Sequence, residues 1–398
     1  MSNLVALGSV AEINPRLPRG IDESQQVSFL TMASVSEDGL ILEEETRILG
    51  ETKKGYTYFE RGDVLIAKIT PCFENGKAAL VDQLKHQVGF GSTEFHVIRV
   101  HSDKLDARYL FYLVWSDLFR FYGGKSMTGA AGQKRVSSDF LKAFEIPLPP
   151  LPEQRRIAAI LDKADAIRRK RQEAIRLTED FLRSVFLDMF GDPVTNPKGW
   201  PLRPIGSVLR SIDSGWSANG EDRARQPEEW AVLKISSVTT GRFIPDECKV
   251  VPRESITREL ITPKRGDLLF SRANTRELVA ATCLVQRDEP NIFLPDKLWR
   301  IVPDEKLTCS EYLKYLLSHP MFRENFTKQA TGTSGSMLNV SMAKLRGLEM
   351  PLPPIELQKK FAELVWKSLD VQGRVNNSEG EMSMFFNTLV QRAFRGDL

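Results

Sequence analysis

Apolar residues recur at threes and fours through two long stretches, and each stretch opens on a proline run. In 151–190 the stripe is Ile157, Ile160, Leu161, Ala164, Ile167, Ala174, Phe181, Val185 and Met189. In 355–398 it is Phe361, Leu364, Val365, Val371, Val375, Met382, Phe385, Phe386 and Leu389. That period belongs to α-helix, and a stripe so narrow seeks a second helix. Pro147, Pro149 and Pro150 before the first, and Pro351, Pro353 and Pro354 before the second, bar helix until they end. Charged Arg168 to Arg171 and the Gly373 to Gly380 stretch thin the stripes midway, so tight packing is expected near the helix ends and a wetter centre between.

Ahead of each long helix the pattern changes to short alternating or β-rich runs. In the first half these are 27–35, 64–69 and 94–100; in the second, 231–238, 268–271 and 297–302. An amphipathic helix follows each set, 107–121 and 310–329. After it comes a glycine-rich loop, 123–135 or 330–337, and a last strand, 144–147 or 348–351, leads into the long helix.

The two halves repeat each other at an offset near 200. Leu7-Gly8-Ser9-Val10 answers Ile205-Gly206-Ser207-Val208, and Arg61-Gly62-Asp63-Val64-Leu65 answers Arg265-Gly266-Asp267-Leu268-Leu269. Tyr109-Leu110-Phe111-Tyr112-Leu113 answers Tyr312-Leu313-Lys314-Tyr315-Leu316, and Thr128-Gly129 answers Thr331-Gly332. One unit has been duplicated in tandem. The expected fold class is α+β: two pseudo-symmetric globular domains, 1–150 and 191–354, separated by long helices at 151–190 and 355–398 that pair as an antiparallel coiled coil. A two-fold object of this kind suits a two-fold target, of which duplex DNA is the commonest.

Composition narrows the function. The 398 residues carry a net charge of only +3, so DNA binding is not announced by charge. No apolar run reaches the roughly 20 residues of a membrane span, and the first residues lack the basic start and apolar core of a secretory signal; the cytoplasm is the expected location. Cys72, Cys248, Cys283 and Cys309 form no close pair, and His86, His96, His101 and His319 have no metal-ligand spacing, so no metal is expected. Neither glycine-rich loop fits a phosphate-binding loop, and no nucleophile-base set is present.

Several of these motifs together resemble the specificity subunits of type I restriction-modification systems: Glu153-Gln154-Arg155-Arg156-Ile157-Ala158-Ala159-Ile160-Leu161-Asp162 after its proline run, the echo at Pro351 to Val365, the Arg61-Gly62-Asp63 turn, Thr128-Gly129-Ala130-Ala131-Gly132-Gln133, and the closing Ala393-Phe394-Arg395-Gly396-Asp397-Leu398. The resemblance implies that the globular parts are target recognition domains and that the chain is not itself an enzyme. Each domain would read one half of a bipartite double-stranded DNA site, with the helices setting the gap. Two modification (methyltransferase) subunits and restriction subunits would be its partners. S-adenosylmethionine and ATP with Mg would sit on those partners, and the chain itself would need no cofactor. In this sequence the second helix has Glu356-Leu357-Gln358-Lys359-Lys360 where the first has Glu-Gln-Arg-Arg, and the second loop lacks Gln-Lys-Arg.

Base edges are read by side chains of fitting donor and acceptor pattern: Asn or Gln at adenine, Arg or Lys at guanine, Glu at cytosine. On that basis the candidate DNA-binding residues of the first half are Lys68, Thr70, Phe73, Glu74, Asn75 and Lys77 after the 64–69 strand, with Lys125, Thr128, Gln133, Lys134 and Arg135 in the glycine-rich loop. Those of the second half are Arg272, Asn274, Thr275, Arg276 and Ser336. A self-sufficient DNA methyltransferase or nuclease, or a scaffold that binds only proteins, are the alternatives. The first would need a cofactor motif that the chain does not display, and the second would not select a DNA sequence.

Overall fold

The computed structural model describes residues 4–130, 132–329 and 338–395, with side chains left aside at 325–329, 374–387 and 393–395. The expected loop at 330–337, Ser336 included, lies outside the described residues, as do Ala131, the last three residues and the stripe side chains of Val375, Met382, Phe385 and Phe386. By its contacts the chain divides into two compact units, Met1–Gln172 with Asn376–Leu398, and Glu173–Val375. Each unit therefore holds a globular body and part of both long helices.

In unit 1 an antiparallel sheet runs in the order Ala11–Ile13, Phe95–Val100, Val64–Ala67, Ala78–Leu80. A second sheet has the order Glu45–Ile48, Gln26–Leu30, Val88–Gly91, Thr57–Glu60, with one parallel pair at its centre. Helix α1 (Ala107–Trp115) buries Tyr109, Leu110 and Leu113 against the first sheet. The helix expected over 107–121 is broken at Ser116, whose backbone is extended and whose hydroxyl accepts from Phe119 N–H at 3.3 Å. Ser116 thus caps a new helix, α2 (Asp117–Ser126), the role serine fills best. Helix α2 also takes up Gly123 to Ser126, so the glycine-rich loop begins only at Met127.

The long helix α3 (Leu151–Phe190) crosses from unit 1 into unit 2. Unit 2 repeats the plan: a sheet of Leu209–Ser214, Leu298–Pro303, Leu268–Ser271 and Thr282–Leu284, and a smaller one of Cys248–Val250, Ala231–Leu233 and Ile292–Phe293. The strand expected to continue to 238 stops at Leu233, and Ser236–Thr239 is a helical turn. Helices α4 (Ser310–Ser318) and α5 (Pro320–Gln329) replace the expected single helix. The break falls at His319 because a residue before proline is steered out of helix. Helix α6 (Ile355–Arg395) closes the chain.

The Arg-Gly-Asp turns match across the units. Gly62 and Gly266 adopt φ of +98° and +91°, which favours glycine, and donate to Val81 and Val285 carbonyls at 3.0 and 2.9 Å. Asp63 then accepts from Glu60 N–H at 2.7 Å, as Asp267 does from Lys264 N–H at 2.9 Å.

The buried stripe of α3 is offset by one residue in its second half from the expected one. Ile157, Leu161 and Ala164 are buried as expected, but the positions that follow are Ile175, Leu182, Phe186 and Phe190, while Ile167 and Phe181 are about half exposed at 45% and 54%. Leu161, Arg168, Ile175 and Leu182 form one unbroken series of sevens, and a charged residue at its second place hid it. Arg168 is not a solvated charge: its guanidinium bonds Asp165 at 2.9 Å and Asp38 at 3.0 Å and lies 5.6 Å from the Trp115 ring. Midway along α3, Arg168 and Asp165 thus form a largely buried ion pair that Asp38 joins from the surface. In unit 1 the start of α3 shares a core with Leu389 and Val390 near the end of α6. In unit 2 the end of α3 shares one with Phe361 and Val365 near the start of α6, Phe186 and Phe361 lying 5.6 Å apart. Within each unit the start of one long helix thus meets the end of the other, an antiparallel relation.

Both long helices are fastened to their unit by a buried glutamine. Gln154 accepts from Asp106 N–H at 2.8 Å and donates to Lys104 and Pro149 carbonyls at 2.9 and 2.8 Å. Gln358 accepts from the Thr308 hydroxyl at 2.9 Å and donates to Leu307 and Pro353 carbonyls at 3.1 and 2.8 Å. The tyrosines behave alike, Tyr109 donating to Pro147 O at 2.9 Å and Tyr312 to Pro351 O at 2.7 Å. The second helix lacks the Glu-Gln-Arg-Arg run yet keeps its one buried member.

Candidate nucleic-acid interface

In unit 1 the two loops singled out from the sequence come together. Beyond the strand Val64–Ala67, Lys68 and Thr70 run antiparallel to the segment after the glycine loop: Thr70 N–H donates to Lys134 O and Val136 N–H to Lys68 O, both at 2.9 Å. Thr128 and Arg135 close the second loop by exchanging backbone bonds at 3.1 and 2.9 Å. His96 fixes the base of this ladder, its Nε2 meeting Val136 O at 2.9 Å and its Nδ1 lying 3.0 Å from Asn14 Nδ2. Burial pulls its pKa down, which keeps it neutral with Nε2 as donor.

The candidate side chains then sort by what holds them. Thr128, Gln133 and Lys134 are exposed, as is Lys125, whose Nζ lies 4.1 Å from the Phe121 ring centre. Lys68 and Thr70 are half-buried at the loop mouth, and Glu74 is exposed. Three candidates are engaged within the chain. Asn75 donates to Glu37 at 2.8 Å, Lys77 to Met32 O at 3.1 Å, and Arg135 binds Glu94 through Nε and Nη2, both at 2.9 Å. That pairing holds the Glu94 carboxyl below its usual range. Phe73, expected at the surface, is instead core: it is 3% exposed, and a Cβ on Gly123 would come within 2.2 Å of its ring. Its apolar ring anchors the first loop against α2, so its place in the site is structural.

Sequence reasoning missed the exposed row Leu118, Phe121 and Tyr122 on α2, about half exposed each and next to Lys125. Arg120 ties this helix to the first loop through Glu74 O at 3.4 Å. The signal was available, since the broken helix frees a face that one amphipathic helix would have buried.

Unit 2 builds the same mouth. Val340 N–H donates to Arg272 O at 2.8 Å, and Ala273–Asn274 pairs with Leu338–Asn339. Here the first cation is engaged, unlike Lys68: Arg272 donates to the Asp296 carbonyl and carboxylate at 3.0 and 3.1 Å. Asn274 turns its Oδ1 to Thr275 N–H at 2.8 Å, leaving Thr275 and Arg276 exposed. In both units a strand-end segment is held by backbone bonds to the segment that follows the glycine-rich stretch, with exposed polar side chains at the rim.

The chain is similar in sequence and in fold to known proteins. Residues 2–177 match the family described as type I restriction modification DNA specificity domain. The specificity subunit of the type I restriction enzyme EcoEI from Escherichia coli is 27% identical over 91% of this chain and 76% of its own. That of EcoAI, also from Escherichia coli, is 48% identical over a shorter stretch, 38% of this chain and 26% of its own. In fold, the chain is similar to the S subunit of a type I restriction-modification system from M. genitalium, with a TM-score of 0.56 at 14% identity, covering 99% of this chain and 96% of that one. It is likewise similar to a chain solved in work on assembly and conformational transition of a type I system, TM-score 0.52 at 22% identity, covering 100% and 98%. Residues 2–177 thus carry a type I restriction modification DNA specificity domain, and the chain as a whole is similar to specificity subunits of type I restriction enzymes.

Proposed function

We propose that this chain recognises DNA for a type I restriction-modification complex, each globular unit reading one half of a bipartite duplex site. The observation that carries the reading is the loop mouth built twice, at Lys68/Val136 and at Arg272/Val340, by the same backbone bonds from different side chains. A scaffold kept constant with the rim varied is what two half-sites of different sequence require. Rim residues Lys68, Gln133 and Lys134 in unit 1, and Thr275 and Arg276 in unit 2, are the side chains assigned to bases or phosphates. Phe121 and Tyr122 add apolar faces on which a sugar or an unstacked base can rest.

The long helices are assigned the gap between the half-sites and the docking of two methyltransferase subunits, with restriction subunits completing the complex. In unit 2, Leu177 and Phe181 on α3 and Leu364 and Val371 on α6 stay exposed at helical spacings, apolar surface that a partner helix would cover. Methyl transfer and cleavage then belong to the partners, as do S-adenosylmethionine and ATP. Among the described residues no helix is long and apolar enough to cross a membrane.

A half-site test follows. Alanine at Gln133 should weaken binding of the methyltransferase complex to sites carrying the unit 1 half, by roughly 1 to 3 kcal/mol if the contact is bidentate to a base. Alanine at Arg276 should do the same for the other half only. Competition binding with duplexes mutated in one half at a time reads this directly. A uniform loss on every duplex would place the residue at phosphate, and no loss from either would remove the loop mouth from the interface.

A further inference from the structure

The internal repeat places a lysine where its other copy has core. Phe111 in α1 is buried and stacks on Trp115 at 5.6 Å. Its counterpart in α4 is Lys314, whose Nζ lies 3.9 Å from the Tyr315 ring centre. It borders a cavity of about 810 Å³ within unit 2, between the second half of α3, the turn after Ser236–Thr239, the 276–282 segment, α4 and α5. A cavity of that size suits a ligand of mononucleotide dimensions.

The cations of this cavity are poorly matched from within the chain. Among the described residues Lys314 has no ion pair within 4.0 Å, and burial pulls its amine down to about 8. A surface lysine that merely laid its stem on apolar groups would keep its ammonium in water and its ordinary pKa. Arg183 reaches Asp180 only at 3.8 Å. His319 Nδ1 is buried without a hydrogen-bond partner. Of the acidic residues at the wall, Glu179 is bonded by Arg242 at 2.8 Å, Glu277 is held by its own backbone and Thr275, and Glu324 is engaged as well. Arg323 donates to Val279 and Glu277 carbonyls at 2.9 and 2.7 Å, and Arg276 stands exposed at the cavity's edge. An ammonium and a guanidinium thus remain facing one cavity, with Leu187, Ala280 and Ala281 as apolar wall.

We propose that the cavity binds a small phosphate monoester, its phosphate held between Lys314 and Arg183. A phosphate dianion matches these two cations in charge, and arginine suits phosphate geometry. The ester's organic part would lie along the apolar wall.

The test is calorimetric titration of the full chain with adenosine 5′-monophosphate, ribose 5-phosphate and inorganic phosphate, at constant ionic strength set with chloride. One saturable site for the monoesters is expected, weakened at least tenfold in Lys314→Met and no more than a few-fold in Lys314→Arg. Lys314→Met removes a buried charge and restores an apolar residue at the place of Phe111, so its melting temperature should not fall, which separates lost binding from lost fold. The proposal is overturned by the absence of a saturable site, or by undiminished binding in Lys314→Met. Inorganic phosphate binding as tightly as both monoesters would overturn the ligand class. Loss of duplex binding in Lys314→Met without monoester binding by the parent would instead make the cavity a DNA-backbone contact.

Discussion

Gln154→Leu is expected to lower the stability of unit 1 by roughly 3 to 5 kcal/mol, a large share of the roughly 5 to 15 kcal/mol typical of a domain. The side chain is fully buried and satisfies three backbone groups, Asp106 N–H and the Lys104 and Pro149 carbonyls. Leucine fills the space but leaves all three buried without partners, at about 1 to 3 kcal/mol each. The damage should be local. Asp106 caps α1 through Arg108 and Tyr109 N–H at 3.0 and 3.1 Å, so losing its own anchor frays that helix and the start of α3 together. Hydrogen exchange should show α1 losing protection while the unit 2 strand Ala231–Leu233 keeps it. Gln358→Leu should reverse the pattern, exposing α4 and sparing α1. If either variant unfolds at an unchanged denaturant midpoint, the glutamine is not the fastening described.

The second large effect concerns helix length. Removing the seven residues from Arg169 to Ile175, with a matching heptad from α6, preserves the series of sevens through Leu161, Arg168 and Leu182. It also spares the bonds of Arg168 to Asp165 and Asp38. Seven residues at about 1.5 Å each shorten the helices by roughly 10 Å, and base pairs rise about 3.4 Å, so the gap between half-sites should contract by roughly two to three base pairs. The half-sites themselves should not change, because the loop mouths are untouched. Binding to the original site should fall to the non-specific level and reappear on the site with the shorter gap. Selection from a randomised duplex pool reads both halves and the gap; an unaltered gap would end the ruler assignment.

Much of the architecture was legible because it is carried by periodicity and by an internal repeat, two signals that need no tertiary knowledge. The proline-led helices, the Arg-Gly-Asp turns and the paired tyrosines all lie where the repeat puts them. What failed, failed locally. Ser116 and the residue ahead of Pro320 break helices that hydrophobic pattern alone runs together. The seam of α3 was misjudged by one residue because Arg168, a charge, occupies a seam position, neutralised by Asp165 one turn back and by Asp38 from a distant loop.

The rim of the candidate site was legible as loops and much less as side chains. Residue type suggested Phe73, Asn75, Lys77, Arg135 and Arg272 equally with their neighbours. Only the fold shows that Phe73 is core and that the others meet Glu37, Met32 O, Glu94 and Asp296. Conversely, Phe121 and Tyr122, which α2 leaves about half exposed, were not singled out.

The central claim is that two loop mouths read two separated stretches of DNA. Mapping methylated bases across the genome of cells that produce this chain with its methyltransferase subunit, against cells lacking only this chain, tests it most directly. The account predicts one chain-dependent motif in two parts, split by a gap of fixed length and of any sequence. A continuous motif, or methylation that persists unchanged without the chain, would contradict it.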